Sequence, residues 1–565
     1  MKLARTLALL VGAVALLTNP TWSQTIDVNA LPAPVPGAPS TPGGILPLDL
    51  EDAYQLALAR NLDLVVGRYN IAVANSSIHA NSGIFDPNFL FGVDGDFTRS
   101  PSASALEGAL VQESRNTRFG LTLDALLPSS TYLRLDTGMI RGATNSQFFF
   151  IDPRYNADVS FSLRQPLLRD FGSLVTRQGI VVAQNVRDRT AETFEIGVVA
   201  VLQQVEEAYW NLVASRRAVE VSEQSLELAQ RLLGETDERV KVGTSAPIDL
   251  VQSETGVATR LQDLIAAGNL AANAEDALKA VLGFDAPEEW LTEIETTEAY
   301  EFAPMDIDLA QAIDTALARR PEIRRKLLEL EQLEYDVRVA RNRVLPSLDL
   351  EASYGWGGIG GDARIDEDDD GTTDIVIPGG PGDAWDQVFD FDFPHWRLGI
   401  QFGIPIGNNE AQGLLAQRRY EQQRSTIELN AIRQQIIQEV RVAVRALADG
   451  KALVEASLAA RDLSERNLEA EETKFDNGLS TNYQVLEIQE DLAQSQLSLI
   501  RAYLDYRKAN IGYRVSTGTL LDFLSVDIVD PGSPDVPHDY WKNVEWLQFD
   551  DIDGASGRVT DPVAA

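Results

Sequence analysis

Two periods of apolar residues alternate along this chain, and each returns once. After Pro87, Phe89, Phe91, Val93 and Phe97 alternate with Gly92, Asp94, Asp96 and Thr98. After Pro346, Leu348, Leu350, Ala352, Tyr354 and Trp356 alternate with Asp349, Glu351, Ser353 and Gly355. The same period of two runs into Pro166 through Val159, Phe161 and Leu163, and into Pro405 through Leu398, Ile400, Phe402 and Ile404. Stretches of about 9–11 residues, apolar on one side and polar on the other, match tilted membrane-barrel strands. Soluble sandwiches alternate in the same way, so the strands alone leave both readings open. A further alternating pair in the first half, Thr117 to Ala125 and Thr131 to Met139, is joined by Pro128-Ser-Ser130 and brings the candidates to six. This hairpin either widens a barrel or stands outside the membrane as an elaborated loop.

The other period is helical. No proline occurs between Pro166 and Pro247, or between Pro405 and Pro531. The stretches Glu192 to Val242 and Gln412 to Phe475 are rich in Ala, Leu, Glu, Gln and Arg, all strong helix formers. In the second, Leu429, Ile432, Ile436, Val440 and Val444 recur at steps of three and four. Helices this long indicate a coiled coil or helical tube rather than a globular domain. Gly243 and Gly478 each close one long helix and precede another, as left-handed C-terminal caps do. Pro247 suits the restart, because proline is tolerated in the first turn.

The chain is duplicated. Leu48-Asp-Leu-Glu-Asp-Ala-Tyr-Gln-Leu-Ala-Leu-Ala-Arg60 aligns with Ile307 to Arg319 at a shift of 259 residues, which also pairs Pro87 with Pro346. Val242-Gly243 aligns with Asn477-Gly478 at a shift of 235, which also pairs Gly283 with Gly518. Two halves in the same order, the second with a shorter middle, mark an internal repeat.

The start, Met-Lys-Leu-Ala-Arg followed by the apolar run Thr6 to Leu17, has the form of a secretory signal peptide and is too short to span a bilayer. With no cysteine in the chain, disulfides, thiolate metal sites and a Cys-linked lipid are excluded. The formal net charge of -37 argues against nucleic acid, which requires a concentrated positive surface. It fits a soluble surface that repels anions, and an interior that favours cations.

Strands, a long helix, a glycine-marked turn and a returning helix, repeated behind a signal peptide, resemble the TolC-like outer-membrane efflux proteins. The resemblance runs from about Leu48 to Leu520. It is carried by the paired starts containing Ala-Leu-Ala-Arg, the junctions Gln165-Pro-Leu-Leu168 and Ile404-Pro-Ile406, and the two turns. It implies an α+β membrane protein: a trimeric outer-membrane β-barrel continued by a long periplasmic α-helical barrel, internally duplicated. It implies partners as well: two further copies, outer-membrane lipid, a periplasmic adaptor (membrane fusion protein) and an inner-membrane pump. Substrate would leave through the shared bore, and no catalysis is expected. The family's acidic entrance positions fall on Asp249 in the first half and on Gln484 and Glu487 in the second, with Glu254 nearby; Gln484 weakens the second acidic ring. Asp249 also suits a helix-start carboxylate. The turns Gly243, Thr244, Ser245 and Gly478, Leu479, Ser480 are where an adaptor would dock. The family minimum is two strands per half, so the extra hairpin is a departure.

The expected segments are a signal peptide (1–23), a Pro/Gly-rich leader (24–47), first-repeat N-terminal helices (48–85), membrane strands with the extra hairpin (86–170) and long helices with their turn (171–298). The second repeat follows with N-terminal helices (299–345), membrane strands with an acidic external loop (346–405) and long helices with their turn (406–525). An acidic tail (526–565) closes the chain. Within the acidic loop, Asp366, Asp368, Asp370 and Asp374 have the alternate spacing of a calcium loop, although the twelfth position is Ile377 and a solvated acidic loop is the other reading. No other cofactor is expected. Gly357-Gly-Ile-Gly-Gly361 leads into that loop rather than a helix, so it fails as a phosphate site and reads as flexible external loop. His79, His395 and His538 form no ligand spacing. A coiled-coil scaffold without a pore is the alternative to an export duct.

Overall fold

In a computed structural model, the chain is described over residues 44–102, 109–146, 149–298, 302, 304–305, 307–365 and 375–528. The signal peptide, nearly all of the leader, the calcium-loop aspartates Asp366, Asp368, Asp370 and Asp374, and most of the acidic tail lie outside these residues. The chain divides into two compact units. Residues 76–190 and 322–434 form one, and residues 1–75, 191–321 and 435–565 the other.

The first unit is built around one antiparallel sheet. Its strands are β2 (Asn88–Pro101), β3 (Val111–Leu126), β4 (Tyr132–Thr144), β5 (Ile151–Pro166), β7 (Ser347–Ile365) and β9 (Phe393–Gly403), paired in that order. A short β8 (Ile375–Ile377) adds to the end of β7. The extra hairpin is β3–β4. It is neither a loop nor a satellite: it lies between β2 and β5, paired along almost its full length on both sides.

Because directly paired residues share a face, the register can be followed across all six strands. Phe89, Leu123, Leu135, Phe161, Tyr354 and Trp396 make one continuous row. Phe91, Leu121, Thr137, Val159, Trp356 and Pro394 make a second on the same face. The alternate row, on the opposite face, reads Asn88, Asp124, Arg134, Ser162, Ser353 and Arg397. One face is therefore an apolar band and the other is charged. On the edge strands the band is bare: Phe89, Phe91, Trp396, Leu398 and Ile400 are each more than 60 % exposed.

The glycine run Gly357–Gly361 corrects the sequence reading. It lies within β7, paired with β5, because a helix rests directly on it. That helix, α9 (Pro381–Phe389), buries Ala384 and Val388 against Ala157, with Val159, Trp356 and Trp385 around them. A Cβ at Gly358 would run into the Ala384 carbonyl, and one at Gly360 into that of Gly380. Gly358→Ala should thus lift α9 at a cost of about 1–3 kcal/mol. Hydrogen exchange should then quicken in α9 amides while the β5–β7 amides stay protected; unchanged exchange in α9 would contradict the packing.

The second unit holds the short helices α1 (Leu50–Arg60) and α7 (Leu309–Arg319), and the returning helices α5 (Pro247–Leu282) and α11 (Asn482–Thr517). The long helices α4 (Gln178–Lys241) and α10 (Asn409–Asp476) contribute their later parts. The duplication is visible here. α1 and α7 are offset by the 259-residue shift, and α5 and α11, each 36 residues long, by the 235-residue one. Gly283 and Gly518 end the returning helices in the left-handed region, and Gly283 abuts the Arg60 carbonyl so closely that no Cβ fits. The main core gathers Leu202, Val205, Tyr209, Trp210 and Leu212 of α4 with Ala53 and Ala57 of α1 and Leu278 and Leu282 of α5. A two-stranded parallel pair, β1 (Ile45–Leu48) with β6 (Glu293–Thr296), closes one side of it.

Candidate functional site at the helical turns

The turns joining α4 to α5 and α10 to α11 share one construction. Gly243 and Gly478 sit at φ +80° and +73°, a region that an L side chain rarely enters. The Thr244 N–H donates to the Arg239 carbonyl (2.8 Å) and the Leu479 N–H to the Lys474 carbonyl (2.8 Å). Gly243 and Gly478 donate to Val240 and Phe475 (3.1 and 3.0 Å), completing a Schellman cap in each half. Thr244 and Leu479 are exposed and Ser245 and Ser480 half-exposed, and Val242, Ile248, Leu479 and Tyr483 leave large apolar surface bare.

Asp249 and Gln484 are equivalents under the 235-residue shift, and both stand at the third position of a returning helix. Asp249 Oδ2 accepts from the Ala246 N–H (3.1 Å), and Gln484 Oε1 from the Thr481 N–H (3.3 Å). Each satisfies an amide that the helix start leaves orphaned. Glu254 and Glu487 are exposed on the next turns of α5 and α11.

Three contacts that the sequence did not suggest tie the two hairpins together. Arg239 of α4 donates to the Phe475 carbonyl (2.9 Å) and to Asp476 (3.0 Å) at the end of α10, its guanidinium 4.1 Å from the Phe475 ring centroid. Arg260 of α5, its side chain only 9 % exposed, pairs with Glu490 of α11. Asn482 of α11 is buried and donates to the Asp249 carbonyl (3.0 Å) and the Ser253 hydroxyl (2.8 Å), which in turn reaches Thr236 (3.3 Å). Gly256 lets α5 come against Leu486. The only signal in the sequence was small and polar residues where apolar ones were due.

Glu471 supports the second turn. Lys474 Nζ donates to it at 2.8 Å and the Ser480 hydroxyl donates to its other oxygen, and these bonds hold its carboxyl below the ordinary 4.5. A depressed carboxyl stabilises the fold above its unfolded value, and that contribution is lost as pH falls through the lower folded one. The protection of the Gly478–Thr481 amides, taken relative to the intrinsic exchange rate at each pH, should therefore fall only below pH 4.5, and Glu471→Gln should remove that pH dependence. Among the described residues no carboxylate or histidine cluster has metal-binding geometry, and no helix is long and apolar enough to cross a membrane.

The pattern that describes outer membrane efflux proteins matches residues 53–284 and 312–519, most of the chain and both repeats. The chain belongs to that family. Similarity to individual members is lower. The outer membrane protein TolC of Escherichia coli (strain K12) is 22 % identical over 316 residues, 55 % of this chain and 60 % of the relative, so the chain spans less than two thirds of that curated protein. In fold, this efflux-family chain is similar to the CmeC outer membrane channel of Campylobacter jejuni, with a TM-score of 0.61, 16 % identity and 88 % of each chain covered. The outer membrane protein VceC of Vibrio cholerae gives a TM-score of 0.57 at 14 % identity, covering 83 % of this chain and 96 % of that one.

Proposed function

We propose that this chain is the outer-membrane exit duct of a tripartite efflux or type I secretion system, a homotrimer that passes substrate passively. The observation that carries this reading is the two-faced sheet. An apolar band on one face, bare along both edge strands and covered by α9 only near Val159 and Trp356, with a charged face behind it, suits lipid outside and a watery bore inside. A coiled-coil scaffold has no use for such a band. The helical turns are the periplasmic entrance, and their exposed apolar residues, with Gly243, Thr244, Ser245, Gly478, Leu479 and Ser480, form the surface an adaptor would grip. An inner-membrane pump supplies the energy and chooses the cargo. The acidic loop with Asp366, Asp368, Asp370 and Asp374 would meet calcium at the exterior, and either binds it or stays a solvated acidic loop.

The purified protein in a planar bilayer tests the duct. Ion current with cation preference is expected; a membrane-inserted trimer that stays silent even with the entrance residues replaced would sink the reading. Asp249 and Glu487 bring negative charge to the entrance, with Glu254 beside them. Asp249→Asn keeps an acceptor for the Ala246 amide while removing the charge, so it separates selectivity from helix capping. Combined with Glu487→Gln, it should shift the reversal potential toward zero in a salt gradient, with little change in melting temperature. An unchanged reversal potential would take the entrance away from these residues.

A further inference from the structure

We infer that the β3–β4 hairpin is part of the barrel wall, so that each protomer contributes six strands and the closed trimer has about eighteen. This rests on the trimeric duct proposed above and fixes the size of its membrane bore. The hairpin carries the apolar rows without a break from β2 to β5, through Leu121 and Leu123 and then Leu135 and Thr137. A hairpin held in water outside the lipid would have no reason to continue them.

Among the described residues the sheet then ends in two unpaired edges, β2 on one side and β9, with the short β8 beyond it, on the other. In a bilayer every backbone N–H and C=O must be satisfied, which only a closed barrel achieves for strands. The occupant of each edge is the opposite edge of another copy of this chain. Six is an even number and all pairings are antiparallel, so β2 and β9 run in opposite directions and can continue the ladder.

The side chains select a register. Placing Phe91 opposite Ile400 of the next copy sets all of β9 against Asn88 to Thr98. Phe89 then faces Phe402 and Val93 faces Leu398, extending the apolar band. On the charged face Asp94 meets Arg397 and Asp96 meets His395, so an acidic edge meets a basic one. This register also closes the ring. The row from Phe89 ends one protomer later at Trp396, which lies opposite Gly95 of the next copy. Such a climb corresponds to a strand tilt of about 35°, inside the range of membrane barrels. The backbone radius is then about 17 Å, against roughly 12 Å for a twelve-stranded ring at similar tilt. That leaves an open aqueous lumen, as porin-sized barrels have.

Introduced cysteines would be the only thiols in this chain, which makes disulfide mapping clean. Oxidation of Leu90→Cys/Gln401→Cys in membranes should yield covalently linked trimers, because these residues face each other across the joint. Leu90→Cys/Ser160→Cys should not close. Leu90 and Ser160 share a row but stand three strands apart, about 14 Å, beyond disulfide reach. Were the hairpin outside the wall, β2 would lie beside β5 and that second pair would close within one chain. Electron cryomicroscopy of the unaltered protein gives an independent count of strands. Eighteen supports the inference. Twelve in an inserted trimer overturns it and leaves the duct standing, whereas a chain that forms no closed barrel overturns both.

Discussion

An arginine in place of Leu123 should remove the protein from the outer membrane, while an arginine at the neighbouring Thr122 should leave it there. The two positions are adjacent in β3 but face opposite ways. Leu123 sits mid-row between Phe89 and Leu135 on the apolar band, and Thr122 between Leu90 and Asp136 on the other face. Arginine on the lipid face of a barrel costs up to about 2–4 kcal/mol, most at the midplane and less toward the interfaces, and a trimer would bear it three times. At Thr122 the guanidinium would enter a watery lumen next to Asp136, whose carboxylate now accepts from the Thr122 hydroxyl at 2.7 Å. Outer-membrane fractions, probed for an unboiled trimer band, give the readout. Loss in Leu123→Arg with retention in Thr122→Arg is expected. Equal loss, or equal tolerance, would mean that the band does not face lipid.

How much of this was legible beforehand depends on the range of the interactions involved. Period and proline spacing located both long helices, although α4 begins at Gln178, fourteen residues before the stretch from Glu192 whose composition marks it as helical. The segment Gln178 to Ala191 carries Gly179, the β-branched Ile180, Val181, Val182, Val186 and Thr190, and the charged run Arg187-Asp188-Arg189, and its helix is settled by packing: Asn185 donates to the Leu328 carbonyl of α8 (Pro321–Arg343). Both repeat shifts emerged intact, because each is set by local signals such as caps, turns and strand starts. The hairpin was seen, but its place was not, since pairing with β2 and β5 joins residues far apart in sequence. Helix α9 was missed for the same reason: nine residues lack a period long enough to read, and the glycines that seat it looked like loop. At the turns, Gln484 read as a weakened acidic ring. Its position explains the substitution. The third helical residue needs an acceptor for the amide behind it, which Gln484 provides as Asp249 does.

Charge reversal at Arg239 and Arg260 should open the entrance of the proposed duct. Both arginines come from the first hairpin and grip the second, where Asp476 and Glu490 receive them. In Arg239→Glu/Arg260→Glu each attraction becomes a repulsion between carboxylates, and the Phe475 carbonyl loses its donor. Removing one partner of a fully buried pair costs about 3–5 kcal/mol. Glu490 is half-exposed and Asp476 more so, which puts each pair here below that range. Two such losses still exceed what the Asn482 contacts can hold, since a net hydrogen bond contributes only about 1 kcal/mol. Single-channel conductance should therefore rise several-fold, while the trimer and its β-sheet signal persist. Restoring opposite charge with Asp476→Arg/Glu490→Arg should return the current toward its original level, since the same pairs re-form with their signs exchanged. A rise that the compensating pair does not reverse would trace to general loosening of the helices. No rise at all would place the resistance of the duct elsewhere than at these turns.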